Sequence, residues 1–193
     1  MDRKQESGFS LLELLIVLAI LSFLATSAFP AFQKLEAKIA HHFQARRLFN
    51  DIADAKRIAT LHQRAVTLCA LPSNALQNTL KHNSQALRCA PSHQASWHDG
   101  WMLFFDENST FSPTKENLIR LSKPFKEGRK ARNRSQFMGD RNIQSALNIA
   151  PGRAHGKSIG THLGNGRITL SFNESPTHEI IINVFGYARV IKY

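Results

Sequence analysis

The stretch "GFSLLELLIVLAI", residues 8–20, decides how the rest of the chain is read. Leu14 to Leu21 is unbroken hydrocarbon, yet Glu13 stands at its edge. A carboxylate at a bilayer centre costs about 2.5–3.5 kcal/mol on insertion scales, so one kept in such a run has a task and a partner. The apolar run extends from Phe9 to Phe32, 24 residues. At about 1.5 Å per residue this spans a hydrocarbon core of roughly 30 Å. A secretory signal peptide is one reading. "MDRKQES" is then its charged start, Leu14 to Leu24 its apolar core, and Ala25 and Ser27 the small residues before a cut at Ala28. A permanent anchor is another. Glu13 suits neither: it is out of place at the start of a signal core, and an ordinary anchor gains nothing from it.

A short charged leader, Gly8, Phe9, a glutamate five residues on and a long apolar helix resemble the class III signal of type IV pilins and pseudopilins. That resemblance implies cleavage by prepilin peptidase after Gly8 and N-methylation of the new terminal Phe9. It also implies that Glu13 pairs with the terminal ammonium of a neighbouring pilin. A buried carboxylate is tolerable where a cation meets it, and the pairing sets register. Charge counting runs the other way. Arg3 and Lys4 precede the helix, while Lys34, Lys38, Arg46 and Arg47 follow it. Positive flanks favour the cytoplasmic side, whereas the resemblance places the leader in the cytoplasm and the remainder in the periplasm.

Helical periodicity continues beyond the apolar run. Leu35, Ile39, Phe43, Phe49, Ile52 and Ala59 recur at three- and four-residue steps, with a slip at Arg46 and Arg47. Lys38, Gln44, Asp51, Asp54 and Lys56 lie between them and read as the polar face. One helix from about Phe9 to about His62 follows, kinked at Pro30 because proline removes a backbone donor. After Arg64 the period shortens. Residues 66–71, 101–105, 117–125, 143–150, 167–172, 179–185 and 188–193 read as strands, and Asn165-Gly166 as a hairpin turn.

The order "LFNDIADAKRIATLHQRAVTLC", a second cysteine, "WHDGWMLFFDEN", "ENLIRL", "GRITLSF" and "EIIINVFGYARV" resembles the GspH/FimT group of minor pilins and pseudopilins. The implied fold class is α+β, with a long N-terminal helix whose second half packs on two antiparallel sheets. The implied organisation is a leader at 1–8, a transmembrane and assembly segment at 9–34, and a periplasmic domain at 35–193.

Cys69 and Cys89 have no CxxC spacing and no histidine at metal-ligand spacing, so a zinc site is disfavoured. In an oxidising periplasm they would form a disulfide stapling residues 70–88; otherwise they are two buried free thiols. "GKSIG" (156–160) has the G-x-S-x-G spacing without the strand and helix that a nucleophile elbow needs. "GRAHGKS" (152–158) has three residues between its glycines where a phosphate loop needs four. These segments read as loop, and no histidine is placed with a carboxylate at a usable spacing. Nothing in the sequence argues for an enzyme, a catalytic group, a cofactor or a metal.

The net charge is +11 and the pI near 10.2. Residues 120–157 hold ten basic residues against Glu127 and Asp140, a surplus of eight. Such clustering needs solvent or an acidic partner, and phosphate backbones suit it because each neutralised phosphate releases a counterion. Some FimT-type pilins bind DNA through a C-terminal Gly-Arg-x-Arg segment during natural transformation. The matching residues are Gly186, Tyr187, Ala188 and Arg189, with Tyr187 where the motif has its first arginine. Lys192 and the loop cations Lys126, Arg129, Lys130, Arg132 and Arg134 are the candidates to compensate. The expected protein is a single-pass inner-membrane minor pilin, with prepilin peptidase, other major and minor pilins, the membrane and DNA as partners. The alternatives are a GspH-type pseudopilin of type II secretion and a soluble protein released by signal peptidase.

Intact mass of the mature protein should place its first residue at methylated Phe9, and Gly8→Val should retain the leader. A start near Ala28 would contradict the pilin signal. Glu13→Val should still enter the membrane but assemble poorly, and normal filament incorporation would remove the role given to Glu13.

Overall fold

In a computed structural model of the chain, residues 10–72, 88–91, 96–122, 135–156 and 165–193 are described. Gly8, Phe9 and the loop cations at 126–134 lie outside them. The chain forms two compact units, Met1–Ile39 and Ala40–Tyr193.

Helix α1, Leu11–His62, begins at Ser10, whose Oγ accepts the Leu12 N–H at 3.3 Å. Glu13 therefore falls in the first turn, where the helix dipole favours an anion. Pro30 lies within α1. In the first unit the large apolar side chains, from Leu11 to Phe32, are exposed. Water would not tolerate that surface, and this part of α1 is long and apolar enough to cross a membrane.

The second unit holds nine strands among the described residues: β1 (Val66–Ala70), β2 (Trp101–Phe105), β3 (Leu118–Ser122), β4 (Ser135–Gly139), β5 (Ala146–Ala150), β6 (Arg153–Gly156), β7 (Gly166–Phe172), β8 (Ser175–Ile182) and β9 (Ala188–Lys192). They form a five-stranded sheet in the order β3-β2-β1-β5-β6 and a four-stranded sheet in the order β4-β7-β8-β9. Every pairing is antiparallel. The α+β class expected from the resemblance is what the chain adopts.

Helix residues Leu48, Ile52, Ala55 and Ala59 are fully buried against both sheets, with Leu68 and Ile149 on one and Ile168 and Ile180 on the other. The expected face is met at Ile52 and Ala59 but not throughout: Phe43 is 55% exposed, whereas Gln44 and Asp51, read as polar-face residues, are buried. Their hydrogen bonds account for the difference. Gln44 Nε2 donates to the His98 carbonyl at 3.0 Å. Asp51 Oδ2 accepts from Trp101 Nε1 at 2.7 Å and Ser122 Oγ at 2.8 Å, and Arg120 Nη1 bonds its other oxygen. A buried polar group with partners is tolerated; without them it is costly.

Two strands, β4 and β6, arise where the sequence reading saw none, and β6 replaces a loop. β5 starts at Ala146 after a turn, and β8 starts at Ser175, earlier than expected. Asn165-Gly166 is not a hairpin turn, because β7 pairs with β4 and β8 while β6 pairs with β5. Gly166 is instead the strand residue against which the Ile143 side chain packs, leaving no room for a Cβ. One two-residue hairpin is Asn173-Glu174, joining β7 to β8 with φ of 52° and 66°. Positive φ at both positions marks the turn whose twist suits paired strands.

Cys69 and Cys89 form a disulfide with Cα atoms 5.5 Å apart. It lies on the face of the five-stranded sheet away from α1, among Leu71, Met102, Phe104 and Ala146. Closing a loop of this size stabilises by about 3 kcal/mol on chain-entropy models. Unfolded, unreduced protein should therefore titrate no thiol, and reduction should lower the unfolding free energy by about that amount. Two reactive thiols before reduction would refute the bond.

Candidate functional site

The β8–β9 connection, residues 183–187, is held by one side chain. Asn183 Oδ1 accepts the N–H groups of Phe185 and Tyr187, each at 3.0 Å. Gly186 N–H donates to the Asn183 carbonyl at 2.9 Å. Gly186 has φ +80° and lies against Ile149 and the Lys56 stem, so both backbone geometry and space require glycine. Ala154 N–H donates to the Val184 carbonyl at 2.6 Å, which brings β6 and its exposed Arg153 to the turn.

Lys56 runs its aliphatic stem past Gly186, and its ammonium lies 5.4 Å from the Tyr187 ring centroid. This cation–π geometry places a charge beside the residue that stands where the motif has an arginine. An open groove of about 510 Å³ lies here, lined by Lys56, Arg57, Leu61, Gly186, Tyr187 and Ala188. Helix α1 thus lines the groove with Lys56 and Arg57, while Arg153 on β6 and Arg189 on β9 belong to strands that meet the turn, outside the groove's described lining. Sequence reasoning found Tyr187 and Arg189 but missed the other three. The consecutive Lys56-Arg57 pair was the available signal.

Arg189 and Lys192 do not form one patch. Ala188, Val190 and Lys192 pair with Ile182, Ile180 and His178 on the sheet face that carries the core. Arg189 pairs with Ile181 on the opposite face. Alternation along a strand separates residues three apart. The outer face continues across the sheet, since Arg167 also pairs with Ile181. Arg167 bonds Glu179 at 3.2 Å, and the Glu179 carboxylate also accepts the Tyr193 hydroxyl, raising that phenol's pKa. Neither Arg189 nor Lys192 forms an ion pair with a described residue.

A second constellation escaped the sequence reading. Thr177 Oγ1 donates to the Leu170 carbonyl at 3.0 Å, so its lone pairs accept the N–H groups of His41 Nε2 at 2.8 Å and His178 Nδ1 at 3.1 Å. That leaves His178 Nε2 to accept from His42 Nδ1 at 3.2 Å. Burial, then the neighbouring His178, His98 and His42, push the His41 pKa down to about 4. Burial, then His42 and Lys192, lower that of His178. Among the described residues no group of three or more His, Cys, Asp or Glu side chains could hold a metal ion.

The model of the prokaryotic N-terminal methylation motif matches residues 3–29. The chain is type IV pilin-like. A search of curated proteins finds no match. The fold is similar to that of the type IV minor pilin FimU of Pseudomonas aeruginosa, with a TM-score of 0.50 and 12% identity over 78% of this chain and 91% of that one. A second crystal form of FimU gives a TM-score of 0.49 and 13% identity over 79% and 87% of the two chains.

The histidines of this pilin-like domain make its stability sensitive to acid. An unfolded histidine titrates near 6.5, whereas folded His41 binds its proton only near 4. The stabilisation is complete above pH 6.5 and is lost as pH falls towards 4, by up to about 1.4 kcal/mol per pH unit. Denaturation midpoints measured from pH 7 to 4.5 should fall, and His41→Gln should flatten the decline. Equal slopes in both proteins would remove His41 from this account.

Proposed function

We propose that the protein is a non-enzymatic minor type IV pilin of the FimT kind that binds DNA during uptake for natural transformation. Residues 9–34 hold it in the inner membrane after prepilin peptidase cuts behind Gly8, with residues 35–193 in the periplasm until assembly with other pilins. Glu13 meets the terminal ammonium of its neighbour there.

The observation that supports DNA binding is the placing of Lys56 and Arg57 of α1 along the groove at the β8–β9 turn, with Arg153 and Arg189 on the two strands that meet this turn. The charge that Tyr187 does not supply is supplied beside it by Lys56. No described helix is presented as a groove reader, and phosphate contacts position a protein without reading sequence. The loop cations Lys126, Arg129, Lys130, Arg132 and Arg134 extend this positive surplus in the sequence.

Detergent-solubilised protein should bind duplex DNA with little sequence preference and with steep salt dependence. About four to six phosphate contacts give a log–log slope of roughly −4 to −5. Changing Lys56, Arg57 and Arg189 to glutamine should make the slope shallower by about one unit per lost contact. Lys192→Gln, three residues farther from the turn than Arg189, should cost less, and glutamines across 126–134 would measure the loop's share. If wild-type protein fails to retard DNA at low salt, the uptake role falls and a scaffold role in a pilus or pseudopilus remains.

A further inference from the structure

The proposed DNA reading explains the cations at the β8–β9 turn but not its rings. Tyr187 is 65% exposed and Phe185 is 55% exposed, two residues apart on one tight turn. Neither ring is needed to form the turn, which rests on Asn183 and Gly186. Exposed rings on a rigid turn lose little conformational freedom when a ligand covers them.

We propose that the Lys56–Tyr187 groove is a subsite for an unpaired nucleotide, so that the site prefers single-stranded or overhanging DNA ends to blunt duplex. This rests on the DNA reading above. The ammonium of Lys56 takes a backbone phosphate, and the open side of the Tyr187 ring takes the base. The Lys56 stem packs at Gly186, and its ammonium is drawn to the ring, so charge and stacking platform are fixed relative to each other before a ligand arrives. The groove volume, about 510 Å³, falls in the range of small-molecule sites. Its wall of Ala53, Leu61 and Ala188 is apolar, which suits a base or sugar better than a second phosphate. In a duplex both faces of each internal base are covered by neighbours, so only phosphates reach the turn. An unpaired base offers its face, and aromatic stacking accepts any base.

The test uses the full-length protein in detergent and fluorescence anisotropy with three labelled probes of one sequence: a 12-nucleotide single strand, the blunt duplex, and the duplex with a single-stranded overhang. At equal salt the single strand and the overhang should bind about tenfold tighter than the blunt duplex. Tyr187→Ala should lower the affinity for the single strand and the overhang about tenfold more than that for the blunt duplex, so that the difference disappears, and Tyr187→Phe should preserve it. Lys56→Gln should weaken all three. Equal binding of the three probes by wild-type protein, or a uniform loss in Tyr187→Ala, overturns the single-strand subsite while DNA binding stands. Failure to bind any probe overturns both.

Discussion

The carboxylate of Asp51 is the point on which the soluble unit turns. It accepts from Trp101 on β2 and from Ser122 on β3, and its second oxygen meets Arg120. A buried carboxylate without donors costs several kcal/mol, so α1 has one rotational setting in which Asp51 is satisfied. That setting sends Leu48, Ile52, Ala55 and Ala59 into the core. The same setting carries Lys56 and Arg57 to the β8–β9 turn. One polar anchor thus fixes both the packing of the helix and the position of its cations.

Much of the fold was legible because buried runs announce themselves. β1 is buried at every residue and β2 at nearly every one, and both were read from apolar runs. β4 and β6 were missed, and both are edge strands. "RAHG" has no large apolar residue, and in "SQFMG" the buried Phe137 is followed directly by the exposed apolar Met138, so neither shows an apolar alternation in the sequence. The helix face was legible at Ile52 and Ala59 but not at Gln44 and Asp51, which are polar and buried. A pattern of hydrophobicity cannot anticipate hydrogen bonds to residues half a chain away. At the candidate site, Tyr187 and Arg189 were legible through resemblance to a motif. Lys56, Arg57 and Arg153 were not, since they lie on α1 and β6, far in sequence from the turn that these elements meet. The histidine cluster was hidden for the same reason, with His41 and His42 on α1 and His178 on β8.

Net charge alone says little about where a polyanion would lie. Some cations here are already committed: Arg120 to Asp51 and Asp54, Arg64 to Glu107, and Arg57 to Asp54. The Arg57 and Arg64 pairs are exposed and worth little, so a phosphate can compete for those arginines. The Arg120 pair involves a buried carboxylate and is not available on those terms. The separation of Arg189 and Lys192 across β9 adds a geometric limit. A straight ligand touches one face of a sheet, and only a flexible one can follow the edge from one face to the other.

The Cys69–Cys89 link also bears on the order in which this chain acquires structure. β1 sits at the centre of its sheet, yet its partners are residues 101–105 and 146–150. Those strands follow it in the chain, and the second is far away. Cys89 is only 20 residues from Cys69. A short loop closes with less entropy loss than a long one. Once oxidised, the crosslink holds Cys89 and Ala90 against β1, where the Ala90 N–H donates to the Ala70 carbonyl, before the later strands pair. It sits on one face of β1, where Met102, Phe104 and Ala146 cover it when those neighbours arrive. The bond is then a folding scaffold as well as a lock on the finished domain.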